Sequence, residues 1–150
     1  MKNTATTTPL SRILSIIAGL LIAVAIFVPL WRIELDAPQY PEGLALIISA
    51  NNIGGDVNTI NGLNHYIGMK TLHTEDFIEF TILPYILAAF ALLFSITGVA
   101  GKRFLLVIAT YAFIIFGILS MVDFYQWNYN YGHNLNPDAA IRVPGMAYQP

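Results

Sequence analysis

Residues 81–122 read TILPYILAAFALLFSITGVA-GKR-FLLVIATYAFIIFGILSMV, two apolar windows without a charged residue or histidine, joined by the basic turn Gly101-Lys102-Arg103. Each window has about the ~20 residues that cross a ~30 Å hydrocarbon core at about 1.5 Å per residue. So short a connection forces the two to run antiparallel as a helical hairpin. The whole composition agrees: 56% of the 150 residues are hydrophobic and 11% charged, against roughly 45–50% and ~25% in soluble domains.

Upstream lies a third such window, residues 13–31 (ILSIIAGLLIAVAIFVPLW). Lys2 and Arg12 precede it, as they would a secretory signal, but its apolar run exceeds the ~7–15 residues of a signal core. No small-x-small cleavage site precedes Trp31-Arg32-Ile33-Glu34. The expectation is a retained anchor, with Ser11 capping its helix and Pro29 bending or ending its last turn. The expected fold is therefore an all-α membrane protein with three transmembrane helices, a loop carrying one short amphipathic helix, and an irregular tail. Its segments are 1–12 (inner tail), 13–31, 32–80 (outer loop), 81–100, 101–103 (inner turn), 104–122 and 123–150 (outer tail).

Charge assigns the sides. The N-terminal segment and the 101–103 turn hold Lys2, Arg12, Lys102 and Arg103 and no acid, so the positive-inside rule turns them to the cytoplasm. Every acid then falls outside: Glu34, Asp36, Glu42, Asp56, Glu75, Asp76, Glu79, Asp123 and Asp138, nine acids against Arg32, Lys70 and Arg142. An anionic exterior suits a cation or cationic partner, not nucleic acid. The chain has no cysteine, which removes iron–sulfur clusters and thiolate zinc sites from consideration.

In the outer loop, residues 36–43 (DAPQYPEG) contain two prolines and a glycine and must follow an extended, turning path. Residues 44–49 (LALIIS) fit a strand or a buried helical turn equally well. Asp56 is a candidate N-cap for a helix from Val57, with Ile60, Leu63 and Ile67 on its apolar stripe. If that helix runs unbroken to His73, then His65, Met69 and His73 share a face. Gly62 and Gly68 each weigh against it by ~1 kcal/mol relative to alanine. Thr74 is a candidate cap for the second spanning helix, with Glu75, Asp76 and Glu79 in its first turn, and Pro84 should kink that helix. Residues 123–131 (DFYQWNYNY) read as an interfacial aromatic belt, partly extended by their alternation. Residues 132–150 show no helical period.

Sidedness gathers the chemistry. His65, His73, His133, Met69 and Met146 all fall outside, and imidazole with thioether but no thiolate suits copper, especially Cu(I), better than oxygen-seeking calcium or magnesium. The plainer reading is that interfacial histidines are amphipathic surface residues and methionines fill gaps. The spans lack the histidines a haem needs and the ionisable groups a pump needs. No nucleophile elbow or HExxH motif is present. The three spans read as an anchor and as a packing surface for other membrane subunits, with Gly19, Gly98 and Gly117 allowing close helix approach.

The strings WRIELDAPQYPEGL (31–44), DVNTINGLNHYIGMKTL (56–72) and YGHNLNPDAAIRVPGM (131–146) resemble a family of small bacterial inner-membrane proteins associated with copper handling and nitrous oxide reductase maturation gene neighbourhoods. The resemblance covers roughly half the chain and places His65, Met69, His133 and Met146 inside the matching strings. It implies the bacterial cytoplasmic membrane, in which the charge distribution puts the N-terminus in and the C-terminus out, and a chain that continues past Pro150. The leading expectation is a non-enzymatic accessory protein that binds or delivers copper through His65, Met69 and His133, with His73 and Met146 as further ligands. Its partners would be other membrane subunits or a periplasmic copper protein. A second is a structural subunit of a respiratory membrane complex, docking through loop and tail. A third is a quinone- or lipid-binding module using Tyr125, Trp127 and Tyr129.

Overall fold

The computed structural model describes residues 6–141. Met146 and Arg142 lie outside the described residues. In chain order the elements are α1 (Pro9–Ala25), β1 (Trp31–Ala37), β2 (Tyr40–Ile48), β3 (Ile53–Gly55), α2 (Val57–Ile67), α3 (Glu79–Ala100) and α4 (Arg103–His133).

The hairpin of α3 and α4 forms as its sequence requires. Gly101, at φ 65°, ends α3 in the left-handed conformation, and Lys102 starts α4 from extended backbone. Both helices are long and apolar enough to cross a membrane.

The all-α, three-span expectation is corrected on two counts. Only α3 and α4 among the described residues reach spanning length, because α1 stops at Ala25 after 17 residues. The residues that follow, Ile26-Phe27-Val28-Pro29, combine β-branched and aromatic side chains with a proline that disfavours helical backbone in the residue before it. Pro29 thus lies beyond the helix instead of in its last turn. At the other end the cap is Thr8, whose Oγ1 accepts from the Ser11 amide at 3.2 Å, with Pro9 opening the helix.

Secondly, residues 31–55 form a three-stranded antiparallel sheet in the order β1-β2-β3. Strand β1 pairs with β2 from Trp31↔Ile48 to Ala37↔Tyr40, and β2 pairs with β3 through Leu46↔Gly55 and Ile48↔Ile53. Residues 44–48, ambiguous in isolation, are resolved as strand by these partners. Along β1 the alternation is visible in the sequence: Ile33 and Leu35 turn towards the core while Arg32, Glu34 and Asp36 stay exposed, the period-2 pattern of a half-buried strand. Gly55, at φ 81°, leads the chain out of β3, and a Cβ there would strike the Ala45 carbonyl.

Helix α1 lies against α3 at backbone range. A Cβ on Gly19 would sit 2.7 Å from the Ala91 carbonyl oxygen, and one on Gly98 would sit 2.8 Å from that of Arg12. Between them, Ser15 Oγ donates to the Phe94 carbonyl at 2.7 Å and lies 2.9 Å from Thr97 Oγ1, all buried. The Arg12 guanidinium closes the lower end, donating to the Gly98 and Val99 carbonyls at 3.0 and 2.8 Å. A cation there answers both the orphan carbonyls and the negative end of the α3 dipole. By contrast, α4 meets α3 through aromatic rings: Phe113 lies edge-on to Phe90 and Phe94, and Phe116 lies near Phe90.

Beyond Val122, α4 continues as a helix to His133, so the partly extended reading of 123–131 is also corrected. Once this segment is helical, Trp127 and Tyr131 fall one turn apart and pack on Phe77 and on Leu44, Leu46, Ile60 and Leu72, the core of the cap formed by the sheet, α2 and the segment after it. Each such buried leucine or isoleucine contributes about 1.5–3 kcal/mol by transfer from water.

Candidate metal centre

Helix α2 begins where Asp56 predicts, but the carboxylate is used elsewhere: its Oδ2 accepts from the Ala45 amide at 2.8 Å, tying the helix start to β2. The helix ends at Ile67, with Gly68 in the left-handed conformation at φ 82°. The expected face shared by His65, Met69 and His73 therefore does not exist. A glycine directly after a periodic run is the usual stop signal, and here it overrides continuation.

After Gly68 the chain turns back along α2. Asn61 holds it with both ends of its amide, accepting from the Leu72 amide at 2.7 Å and donating to the Leu72 carbonyl at 2.9 Å. Asn64 donates to the Lys70 carbonyl at 3.3 Å. Thr74 is not a helix cap either; its Oγ1 accepts from the Ile53 amide at 3.3 Å, a 3-10 turn spans Thr74–Asp76, and α3 starts at Glu79.

The tail meets the loop at this turn. The Asn136 amide donates to the Gly68 carbonyl at 2.7 Å, and the Ile141 amide donates to the Tyr66 carbonyl at 3.0 Å. A further tie is Tyr131, whose hydroxyl donates to the Thr71 carbonyl at 3.3 Å. Burial, helped by the negative charge of Asp76, raises the Tyr131 phenol above its ordinary 10.0, keeping it a donor.

The sequence-predicted ligands fall into three groups. His65 lies in the last turn of α2, Met69 directly follows Gly68, and His133 ends α4 three residues before Asn136. The Gly68–Asn136 contact thus joins the two chain segments that carry them. His65 is exposed beside Tyr66, Met69 is half-buried, and His133 is exposed with its ring stacked on Tyr129 at 3.9 Å. His133 Nδ1 lies 2.9 Å from the Tyr129 carbonyl oxygen. A carbonyl only accepts, so Nδ1 carries the proton and a neutral His133 presents Nε2 as its free lone pair. Fixing one ring nitrogen on a carbonyl is how metal-binding histidines are commonly oriented.

His73 stands apart, with Nε2 on Thr71 Oγ1 at 3.1 Å, and Met146 is outside the described residues. Among the described residues no group of three or more histidine, aspartate or glutamate side chains is gathered for a metal, so the candidate set consists of two imidazoles and a thioether. Of the aromatic trio, Trp127 is taken into the cap core, its ring centroid 5.5 Å from Phe77 and 4.6 Å from Tyr131, while Tyr125 and Tyr129 are exposed. Sequence reasoning missed Asn61 and Gly68 as organisers of the turn. Gly68 carried a stop signal; Asn61 carried none, since its partner is eleven residues away.

No protein-family model, curated protein or solved structure matches this chain.

Proposed function

We propose that this chain is a membrane-associated accessory protein, not an enzyme, whose cap binds copper, as Cu(I), through His65, Met69 and His133. The observation that carries the reading is the Asn136–Gly68 hydrogen bond of 2.7 Å. It ties together the α2 and α4 ends on which all three residues stand. Support also comes from the orientation of His133, whose Nδ1 lies on the Tyr129 carbonyl, from the donor chemistry, which suits a soft cation, and from the excess of acids over bases in the loop and tail sequence, which attracts cations. The membrane assignment rests on α3 and α4, and α4 is almost wholly exposed along its apolar length, unlike the core helix of a soluble protein. In this reading the basic 101–103 turn faces the cytoplasm and the cap faces outward.

Copper analysis of anaerobically purified protein tests it. About one copper per chain, lost in the double variant His65→Ala/His133→Ala, is the expected result. Metal-free protein under copper-replete growth sinks the reading.

A second reading has its own observation. An open apolar groove of about 570 Å³ runs along α4 between Ile114, Gly117, Ile118, Met121, Val122 and Tyr125. A subunit that docks into a larger membrane complex would use such a face. Its sign would be metal-free purification in a stable multi-subunit assembly.

A further inference from the structure

The turn at Gly68 does more than end a helix. Its carbonyl receives the Asn136 amide, and its α-carbon faces the tail so closely that a Cβ would lie 2.8 Å from the Ala139 Cβ, 2.9 Å from the Asn136 carbonyl oxygen and 3.2 Å from its amide nitrogen. Position 68 is also held at φ 82°, where L side chains are strained. Two independent demands, left-handed backbone and absence of a side chain, therefore meet at one residue, and only the second concerns the tail. Gly62 in the same helix meets neither: nothing lies within 4 Å of its missing Cβ.

We infer that Gly68 and Asn136 form a clasp that positions the donors, seating the 134–141 segment on the end of α2 so that His133 is presented to His65 and Met69. The inference rests on the copper reading for its purpose, but its geometry is testable without metal. Both residues are positioning residues, acting through the backbone and touching no metal themselves. The clasp consists of the Gly68–Asn136 hydrogen bond and the close Ala139 packing, with the Ile141–Tyr66 bond extending it. Because its hydrogen bonds join backbone groups, no side-chain pattern in the sequence announces them.

The chain has no cysteine, so the double variant His65→Cys/His133→Cys carries the only two thiols. A short bis-maleimide should cross-link them within one chain in detergent. Adding Gly68→Asn should lower the cross-linked fraction roughly fivefold or more, about the population change that loss of one net hydrogen bond produces. Asparagine tolerates left-handed backbone, so this substitution isolates crowding from strain. Asn136→Pro, which removes the donating amide from the tail side together with the Oδ1 that accepts from the Asp138 amide, and leaves α2 untouched, should do the same. Gly62→Ala should leave cross-linking unchanged.

In chains with native histidines, Gly68→Asn and Asn136→Pro should weaken copper binding in step, while Gly62→Ala should not. Equal cross-linking with and without Gly68→Asn, or no cross-linking in the parent, overturns the clasp. Clasp-dependent cross-linking in a protein that binds no copper upholds the clasp and removes the copper reading.

Discussion

Helix α3 has two neighbours, and it is held to them by different physics. Against α1 the backbones approach closely enough that Gly19 and Gly98 can carry no side chain, and Ser15, Thr97 and Arg12 add directional hydrogen bonds. Against α4 the contact is made by Phe90, Phe94, Phe113 and Phe116, and most of α4 remains exposed. In an apolar solvent there is no gain from merely hiding apolar surface, so packing density and hydrogen bonds decide which helices hold together. The α1–α3 pair is a locked interface with one register. The α3–α4 pair is fixed mainly by its covalent turn, which leaves α4 a free face.

Substitutions can break this contrast. The largest effect is expected for Gly98→Ala, whose new methyl group meets the Arg12 carbonyl and Ile16. Overpacking against backbone costs about 1–3 kcal/mol, and thermal unfolding in detergent should show it. An unchanged midpoint would mean that α1 and α3 are not packed at this range. Phe113→Ala should follow at about 1 kcal/mol, the worth of aromatic pairs beyond their area, measured in the same assay. A loss exceeding that of Gly98→Ala would reverse the contrast.

Thr97→Val should cost less, roughly 0.6 kcal/mol as for hydrogen bonds between membrane helices, because Ser15 keeps its bond to the Phe94 carbonyl. Gly117→Ala is the null member of the series, since nothing lies within 4 Å of its missing Cβ. A destabilised Gly117→Ala protein would reveal a partner on the free face of α4 and favour the docking reading.

The cap offers a comparison by pH. Tyr131 is raised above its unfolded value of 10.0, so the folded state keeps the phenolic proton more tightly. Its contribution is complete below about pH 10 and falls as pH rises through the raised value. Tyr131→Phe should remove that alkaline decline along with the bond to Thr71.

How much of this was legible without coordinates depended on whether the signal was local. The hairpin of α3 and α4 follows from apolar length and a three-residue turn, both properties of contiguous sequence. The start of α2 at Asp56 and its stop at Gly68 are local too, a polar residue before the apolar periodic run and a glycine directly after it. Residues 31–48 were harder. Their strands are fixed by pairing across a hairpin, and a run such as LALII acquires its conformation from its partner.

The sequence alone determined which windows are apolar enough to meet lipid, which segments carry the acids, and that cysteine chemistry is absent, because these depend only on composition and order. The tertiary structure decided the rest. It ended α2 at a left-handed glycine between His65 and Met69, turned an expected interfacial belt into the helix that buries Trp127 and Tyr131, and carried Asn136 to Gly68. Those outcomes depend on backbone groups meeting across dozens of residues, and an amide or carbonyl is the same in every residue except proline.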